Sequence, residues 1–130
     1  MNPPDISCLI SGKETSNRIS VFKESVAPKS GPPLHTHESQ LEIFHVISGT
    51  ILFEVDGTRG EVPAGGTATI QPGVPHAFIN PTNEPALIHF ELLPSGSSET
   101  FFQRLVDGDF DDPAALFGEH GLQLLGPPLE

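Results

Sequence analysis

Four residues of this 130-residue chain have the types and spacing of a metal-binding site. His35 and His37 are separated by a single residue, Glu42 follows shortly after them, and His76 comes about thirty residues further on. Three neutral imidazoles and one carboxylate suit Fe, Mn, Co, Ni, Cu or Zn better than the hard cations Mg or Ca. The sequence therefore predicts a site for one divalent transition-metal ion, with these four residues as its ligands.

These four side chains can converge if the segments that carry them are extended. Residues i and i+2 of a β-strand lie on one face about 7 Å apart, so His35 and His37 present both imidazoles to one interior. Alternation along the next run places Glu42 on one face and His45 on the other. His76 begins a further strand, directly after a turn rich in Gly and Pro.

A second pair of groups that could act as bases lies in the run ALIHFELL, where His89 and Glu91 share a face. One choice of strand parity directs both into the interior, next to a bound substrate. The other choice leaves them as a solvated stripe. We place His89 with Glu42 among the catalytic candidates and leave the parity open.

The middle of the chain, from about Ile19 to Leu93, has the pattern of an antiparallel sandwich or barrel. Short β-rich runs are separated by Gly, Pro and Asn about every eight to twelve residues. Asp56-Gly57 is a hairpin signal, because a tight primed turn needs positive φ. The candidate strands are ISVFKESV, LEIFHVISG, TILFEVDG, TATIQ, HAFIN and ALIHFELL.

The C-terminal part of the chain predicts two short helices. Phe101, Phe102 and Leu105 have helical spacing behind serines that could cap an N-terminus, and Asp112-Pro113 offers a cap followed by a first helical residue. We expect these helices to pack on the outside of the barrel or across a dimer partner, in a structural role. The final LLGPPLE reads as a proline-bound tail.

No repeat or low-complexity linker divides the chain, so we expect a single domain over residues 1–130. Its barrel core is expected at about 19–93 and its helical tail at about 97–130.

Composition excludes two classes of partner. The chain has 17 acidic and 6 basic residues and a formal net charge of -11, which repels phosphate backbones and anionic lipid. We therefore expect no nucleic-acid partner and no membrane partner. Tyr and Trp are both absent from the chain, which excludes a mechanism that needs a phenol as acid or radical relay.

The N-terminal residues indicate the cellular compartment of the protein and the state of its single thiol. The first twenty residues show neither a basic region nor an apolar run of signal-peptide length, so we expect a cytoplasmic protein. The single cysteine, Cys8, cannot form an internal disulfide and lies in the apolar context ISCLISG. We expect it to be a buried, inert thiol.

The histidine-containing stretches together resemble the cupin superfamily over residues 19 to about 93. The family's first motif resembles His35-x-His37-x4-Glu42-x6-Gly49, and its second resembles Gly73-x2-His76-x3-Asn80. Such joint spacing is far more specific than H-x-H alone. The resemblance implies an all-β fold, an antiparallel jelly-roll β-barrel that holds a metal in its mouth.

The resemblance also implies a function, most similar to that of the quercetin-dioxygenase-like members. We expect a metal-dependent oxygenase acting on a small phenolic, flavonol-like or β-diketone substrate, with Glu42 as metal ligand and proton acceptor. Two alternatives stay open: a Lewis-acid cyclase, isomerase or lyase acting on a small oxo compound or polyketide, and a non-catalytic small-molecule-binding cupin. Barrel edge strands and the resemblance together imply a homodimer.

Overall fold

The computed structural model describes residues 3–130. Ten strands are described: β1 (Asp5–Ile10), β2 (Ser20–Val26), β3 (Pro33–His37), β4 (Leu41–Ser48), β5 (Thr50–Val55), β6 (Thr58–Pro63), β7 (Thr67–Ile70), β8 (His76–Ile79), β9 (Ala86–Leu93) and β10 (Leu122–Pro128). A 3-10 helix spans Gly12–Thr15, and the α-helices are α1 (Ser98–Asp107) and α2 (Pro113–Glu119). Neither described α-helix has the length and apolar character needed to cross a membrane.

The strands form two five-stranded antiparallel sheets. Their orders are β1-β2-β9-β4-β7 and β10-β3-β8-β5-β6. Each of the six runs predicted to be strands forms one, as β2, β4, β5, β7, β8 and β9. The predicted all-β jelly-roll fold with two short C-terminal helices is confirmed.

Alternating burial creates the core between the sheets. Along β9, buried residues alternate with half-buried ones over the whole strand, as a strand with one face on the core requires. Phe44 of the first sheet contacts Phe53 of the second, with ring centroids 5.1 Å apart, and Phe22 stacks on Phe90 at 5.3 Å. Because these rings come from both sheets, their burial holds the two layers together.

Two backbone features position the strands around β8. Asp56 and Gly57 have φ values of 50° and 82° and join β5 to β6, which confirms the predicted hairpin. Gly31 lies against β8, where a Cβ atom would come 1.8 Å from the carbonyl oxygen of Phe78. Only glycine allows the segment that leads into β3 to approach β8 so closely.

Four strands lie outside the six predicted runs: β1, β3, β6 and β10. Of these, only β3 was expected to be extended, because it carries His35 and His37. The largest correction concerns β10, which lies inside the predicted helical tail and pairs with β3, with Leu122 opposite His37 and Leu124 opposite His35. Its LQLLGPP sequence carries a Gly and two Pro, so local propensity alone favours an irregular tail. Pairing with a distant strand overrides that preference. The predicted barrel limits of about 19–93 leave out both β1 and β10.

The expectation that Cys8 is buried is wrong, because β1 is an edge strand and the thiol is exposed. Partial burial, together with the charges of Glu99 and Glu14, raises the pKa of the Cys8 thiol. A raised pKa leaves little thiolate at neutral pH, so the expected lack of nucleophilic reactivity agrees with this environment.

The two predicted helices form close to the expected places. Asp112 is the N-cap residue of α2, and Pro113 is its first helical residue, because a missing N–H costs nothing at that position. Gly108 follows α1 with a φ of 68°, the left-handed conformation that ends many helices.

Of the two expected positions of these helices, the outside of the barrel is wrong, and packing across a dimer partner stays a prediction. Phe102 of α1 packs against Phe22 at 4.8 Å and Phe90 at 5.2 Å, both on inward faces of the first sheet. Phe117 of α2 meets the His35 ring edge-on at 5.7 Å. The open end of the barrel would otherwise expose these rings to water, so the helices close it.

Candidate metal centre

Three histidines of one sheet and one glutamate of the other converge inside the barrel. His35 of β3 lies directly opposite His76 of β8, and His37 is two residues along β3 on the same face. Glu42 reaches them from β4 in the facing sheet. Their four potential ligand atoms lie within 4.8 Å of one another, and every one of these side chains is at least nine-tenths buried. The structure thus brings together all four residues singled out as metal ligands.

Hydrogen bonds fix the orientation of all three imidazoles. Nδ1 of His35 lies 2.7 Å from the carbonyl oxygen of Pro33, and Nδ1 of His76 lies 2.9 Å from that of Val74. A carbonyl oxygen only accepts hydrogen bonds, so in each ring Nδ1 donates. The third imidazole belongs to His37, and its Nδ1 donates to the side-chain oxygen of Gln40 at 3.2 Å. The Nε2 atoms are left to face one common volume, as in metal-bound histidines.

The arrangement around Glu42 requires a cation. One of its carboxylate oxygens lies 3.0 Å from Nε2 of His76 and 3.3 Å from Nε2 of His37. With Nδ1 already donating in each ring, a neutral imidazole would turn a lone pair towards this oxygen. A bound proton or a metal ion removes the repulsion, and a mixed nitrogen and oxygen set suits a transition metal. The donor set therefore fits a metal ion.

Charge and burial lower the pKa values of Glu42 and His35 and raise that of His37. Burial alone would raise the pKa of Glu42, but attraction and hydrogen bonding to His37 and His76 outweigh it and hold that pKa below its usual range. Burial lowers the pKa of His35 to about 3, helped by repulsion from His76 and His37. Burial would also lower the pKa of His37, yet the Glu42 charge and the bonds to Glu42 and Gln40 raise it. His35 is thus neutral, and Glu42 ionised, as metal ligands must be.

Gln40 supports the centre and was not singled out by the sequence. Its amide nitrogen lies within hydrogen-bonding distance of the carbonyl oxygens of Pro94 and Ser95 and of Oγ of Ser98, at 2.8–3.0 Å. These acceptors orient the amide so that its oxygen accepts from His37. Gln40 thereby links a candidate ligand to the start of α1. No local pattern marks it, because its partners are more than fifty residues away.

Replacement of Gln40 by alanine is expected to weaken metal binding about 10- to 100-fold, the usual cost of losing the group that orients a ligating histidine. The dissociation constant is measured by competition with a chelator. Gln103→Ala, on the exposed face of α1, is the control and should leave affinity unchanged. Equal affinities in the two variants would contradict the role assigned to Gln40.

A cavity of about 410 Å3 lies against the cluster, with His35, His37 and Glu42 on its wall. Both sheets and both helices contribute to it. Among residues 3–130, neither Lys nor Arg lines this cavity. Most of the wall is apolar, with the rings of Phe44, Phe78, Phe90, Phe101, Phe102, Phe110 and Phe117.

His89 does not reach this cavity, which corrects its place among the catalytic candidates. The alternation of β9 turns Ile88 and Phe90 inward, so His89 lies on the outer face of the sheet. There it is opposite His45, which pairs with Glu91. The prediction that His45 and Glu42 occupy opposite faces is confirmed. The sequence left the parity of ALIHFELL open, and only pairing with β2 and β4 decides it.

Glu24 is a second carboxyl group in the cavity, and the sequence prediction missed it. It lies on β2 between Phe22 and Val26 on the inward face and is 9% exposed. Alternation in ISVFKESV could not reveal it, because each face of that run carries two apolar residues and one charged residue.

Fold and site together define a small jelly-roll barrel with a candidate metal centre between its sheets. A family model for the cupin domain matches residues 22–92. Since this match spans more than half of the 130 residues, the chain belongs to the cupin family.

A curated protein is similar to part of this chain. The chain is 33% identical over 79 residues to an oxidoreductase of Arthrobotrys oligospora, a match that covers 58% of this chain and 30% of that protein. It therefore spans less than a third of the length of this curated relative.

Solved structures share the fold. A predicted oxalate decarboxylase from Thermotoga maritima aligns with a TM-score of 0.66 at 22% identity, covering 68% of this chain and 78% of that one. An oxalate oxidase in complex with glycolate aligns with a TM-score of 0.62 at 22% identity, covering 72% of this chain and 52% of that one.

Proposed function

We propose that this chain is a metal-dependent dioxygenase that acts in the cytoplasm on a small phenolic, flavonol-like or β-diketone substrate. One observation carries the proposal: a cluster of three histidines and a glutamate adjoins a largely apolar cavity rich in phenylalanine, with His35, His37 and Glu42 on its wall. The kinship to an oxidoreductase agrees with redox chemistry. The homodimer stays a prediction.

The lining of the cavity favours a flat apolar substrate over oxalate, which the names of two structural neighbours mention. Oxalate is a dianion without apolar surface, and its recognition calls for cationic side chains. Among the described residues, the cavity wall has neither Lys nor Arg but carries Glu24 and Glu42. A planar aromatic molecule instead buries its faces against phenylalanine rings.

The ion would be held by His35, His37, Glu42 and His76, as one of Fe, Mn, Ni, Co, Cu or Zn. When bound, it supplies a Lewis acid that lowers the pKa of a substrate hydroxyl and, if redox-active, a partner for O2. Phenylalanine rings orient the substrate and exclude water. Glu42 holds the ion and is the proposed acceptor of the hydroxyl proton.

Oxygen uptake tests the proposal directly. Protein loaded in turn with each of the six metals is mixed with flavonols, catechols and β-diketones, and we expect oxygen consumption with a redox-active metal but not with Zn. Turnover without oxygen, supported equally by Zn, would instead establish a Lewis-acid cyclase, isomerase or lyase. Binding of ligand and metal without any turnover would establish a non-catalytic binding protein.

A further inference from the structure

Glu24 and Glu42 line the cavity from different strands of the first sheet, and Asp5 is the third carboxyl-bearing residue on its wall. In the register of the first sheet, Glu42 of β4 and Glu24 of β2 belong to different rows of inward-facing residues. Glu24 and Glu42 are two rows apart, and each row spans two residues, so their backbone positions are separated by about 13 Å along the strands. The row between them consists of Phe22, Phe90 and Phe44.

Glu24 is buried, and among residues 3–130 no hydrogen-bond or ion-pair partner is found for its carboxyl group. Burial raises the pKa of Glu24 to about 8, and repulsion from Glu42 on β4 and Asp5 on β1 adds to the effect. The other titratable groups on the cavity wall are His35 and His37. Because Glu24 lies on the cavity wall, a ligand in the cavity can reach its carboxyl group and add a hydrogen bond to it.

We propose that Glu24 recognises a hydroxyl group at the far end of an elongated aromatic substrate whose other end faces the metal cluster. This inference rests on the proposed substrate class. A carboxyl group in either protonation state can accept the hydrogen bond of a phenol. The apolar row between Glu24 and Glu42 suits an aromatic skeleton that spans both ends, whereas a two-carbon substrate is too short. A hydrogen bond of this kind contributes about tenfold to affinity.

Two flavonols that differ by one distal hydroxyl group test the inference: 3-hydroxyflavone and 3,4′-dihydroxyflavone. The Kd of each compound is measured by calorimetric titration of the metal-loaded protein without oxygen. We expect the Kd of the dihydroxy compound to be about tenfold lower than that of 3-hydroxyflavone. In Glu24→Leu the two Kd values should agree within about twofold. Glu91→Leu, on the outer face of the same sheet, should retain the difference. A tenfold preference that survives in Glu24→Leu, or its absence from the wild-type protein, would overturn the role of Glu24.

The same ligands separate this inference from the proposed function. If the Kd difference depends on Glu24 but no oxygen is consumed in air, the dioxygenase proposal fails and Glu24 keeps its recognition role. If oxygen is consumed with both flavonols and their Kd values are equal, the dioxygenase proposal stands and the role of Glu24 fails. Failure of both compounds to bind the wild-type protein would overturn the substrate class and the role of Glu24 together.

A folding measurement checks the burial of Glu24. Between about pH 4.5 and pH 8 the unfolded chain releases the Glu24 proton while the folded protein retains it, so the native state loses stability as pH rises. The neutral variant Glu24→Gln avoids this loss. At pH 5 its melting temperature should match that of the wild type, and at pH 9 it should be about 5 °C or more higher. A difference that does not change with pH would contradict the burial of this carboxyl group and with it the recognition role.

Discussion

Replacement of His76 by alanine is expected to remove most of the bound metal and to abolish turnover, while the barrel stays folded. Glu42 and the two remaining histidines would keep three donors, but the variant loses the imidazole that is 1% exposed and 3.0 Å from the carboxylate. Aromatic packing between the sheets does not involve this side chain, so the fold has its own source of stability. Metal content is measured by elemental analysis, and folding by circular dichroism.

The matched control for this variant is His89→Ala. It removes the same side chain from the outer face of the facing sheet, where no metal cluster is found among the described residues. We expect wild-type metal content in this control. Less than about a tenth of that content is expected for His76→Ala, because a ligand contributes more than the orienting groups around it. Equal metal content in the two variants would show that the ion, if bound, lies elsewhere.

Truncation after Pro94 is expected to give an aggregated protein without bound metal. It removes α1, α2 and β10, and with them five buried apolar side chains: Phe101, Phe102, Leu116, Phe117 and Leu122. Burial of each contributes about 1.5–3 kcal/mol, so their sum of about 7–15 kcal/mol is comparable with the whole stability of a small domain. The cut also exposes Phe22 and Phe90 and frees the edge of β3, which carries two candidate ligands.

A shorter truncation after Pro128 is the control, because it removes only residues beyond the last strand. We expect it to elute in size-exclusion chromatography and to bind metal as the full chain does. A soluble protein cut after Pro94, with wild-type metal content, would show that the tail is dispensable for both core and site.

Much of the site could be predicted because strand periodicity is a local property. A period of two places His35 and His37 on one face, whatever the strand pairs with. The spacing to Glu42 and His76 then matches a known family, and all four side chains meet in the structure. The start of α2 is equally local, because Pro113 favours the first helical position after Asp112 without help from distant residues.

Other features depended on partners that are far away in sequence. Periodicity does not determine which face of β9 points inward. Pairing with β2 and β4 decides this, and it places His89 on the outer face. Gln40 can orient His37 only because the start of α1 lies next to it and Ser98 accepts a hydrogen bond from its amide. β10 is extended only because β3 offers it a free edge.

The sequence by itself determined the all-β class, six of the strands, the two helices and the four candidate ligands that converge, since each is encoded by local spacing. Only the tertiary structure decided that the helices close the barrel, that β10 pairs with β3, and that Glu24 lines the same cavity as Glu42. The physical reason is that burial and strand pairing are gained between distant segments, and neither leaves a periodic mark within a single segment.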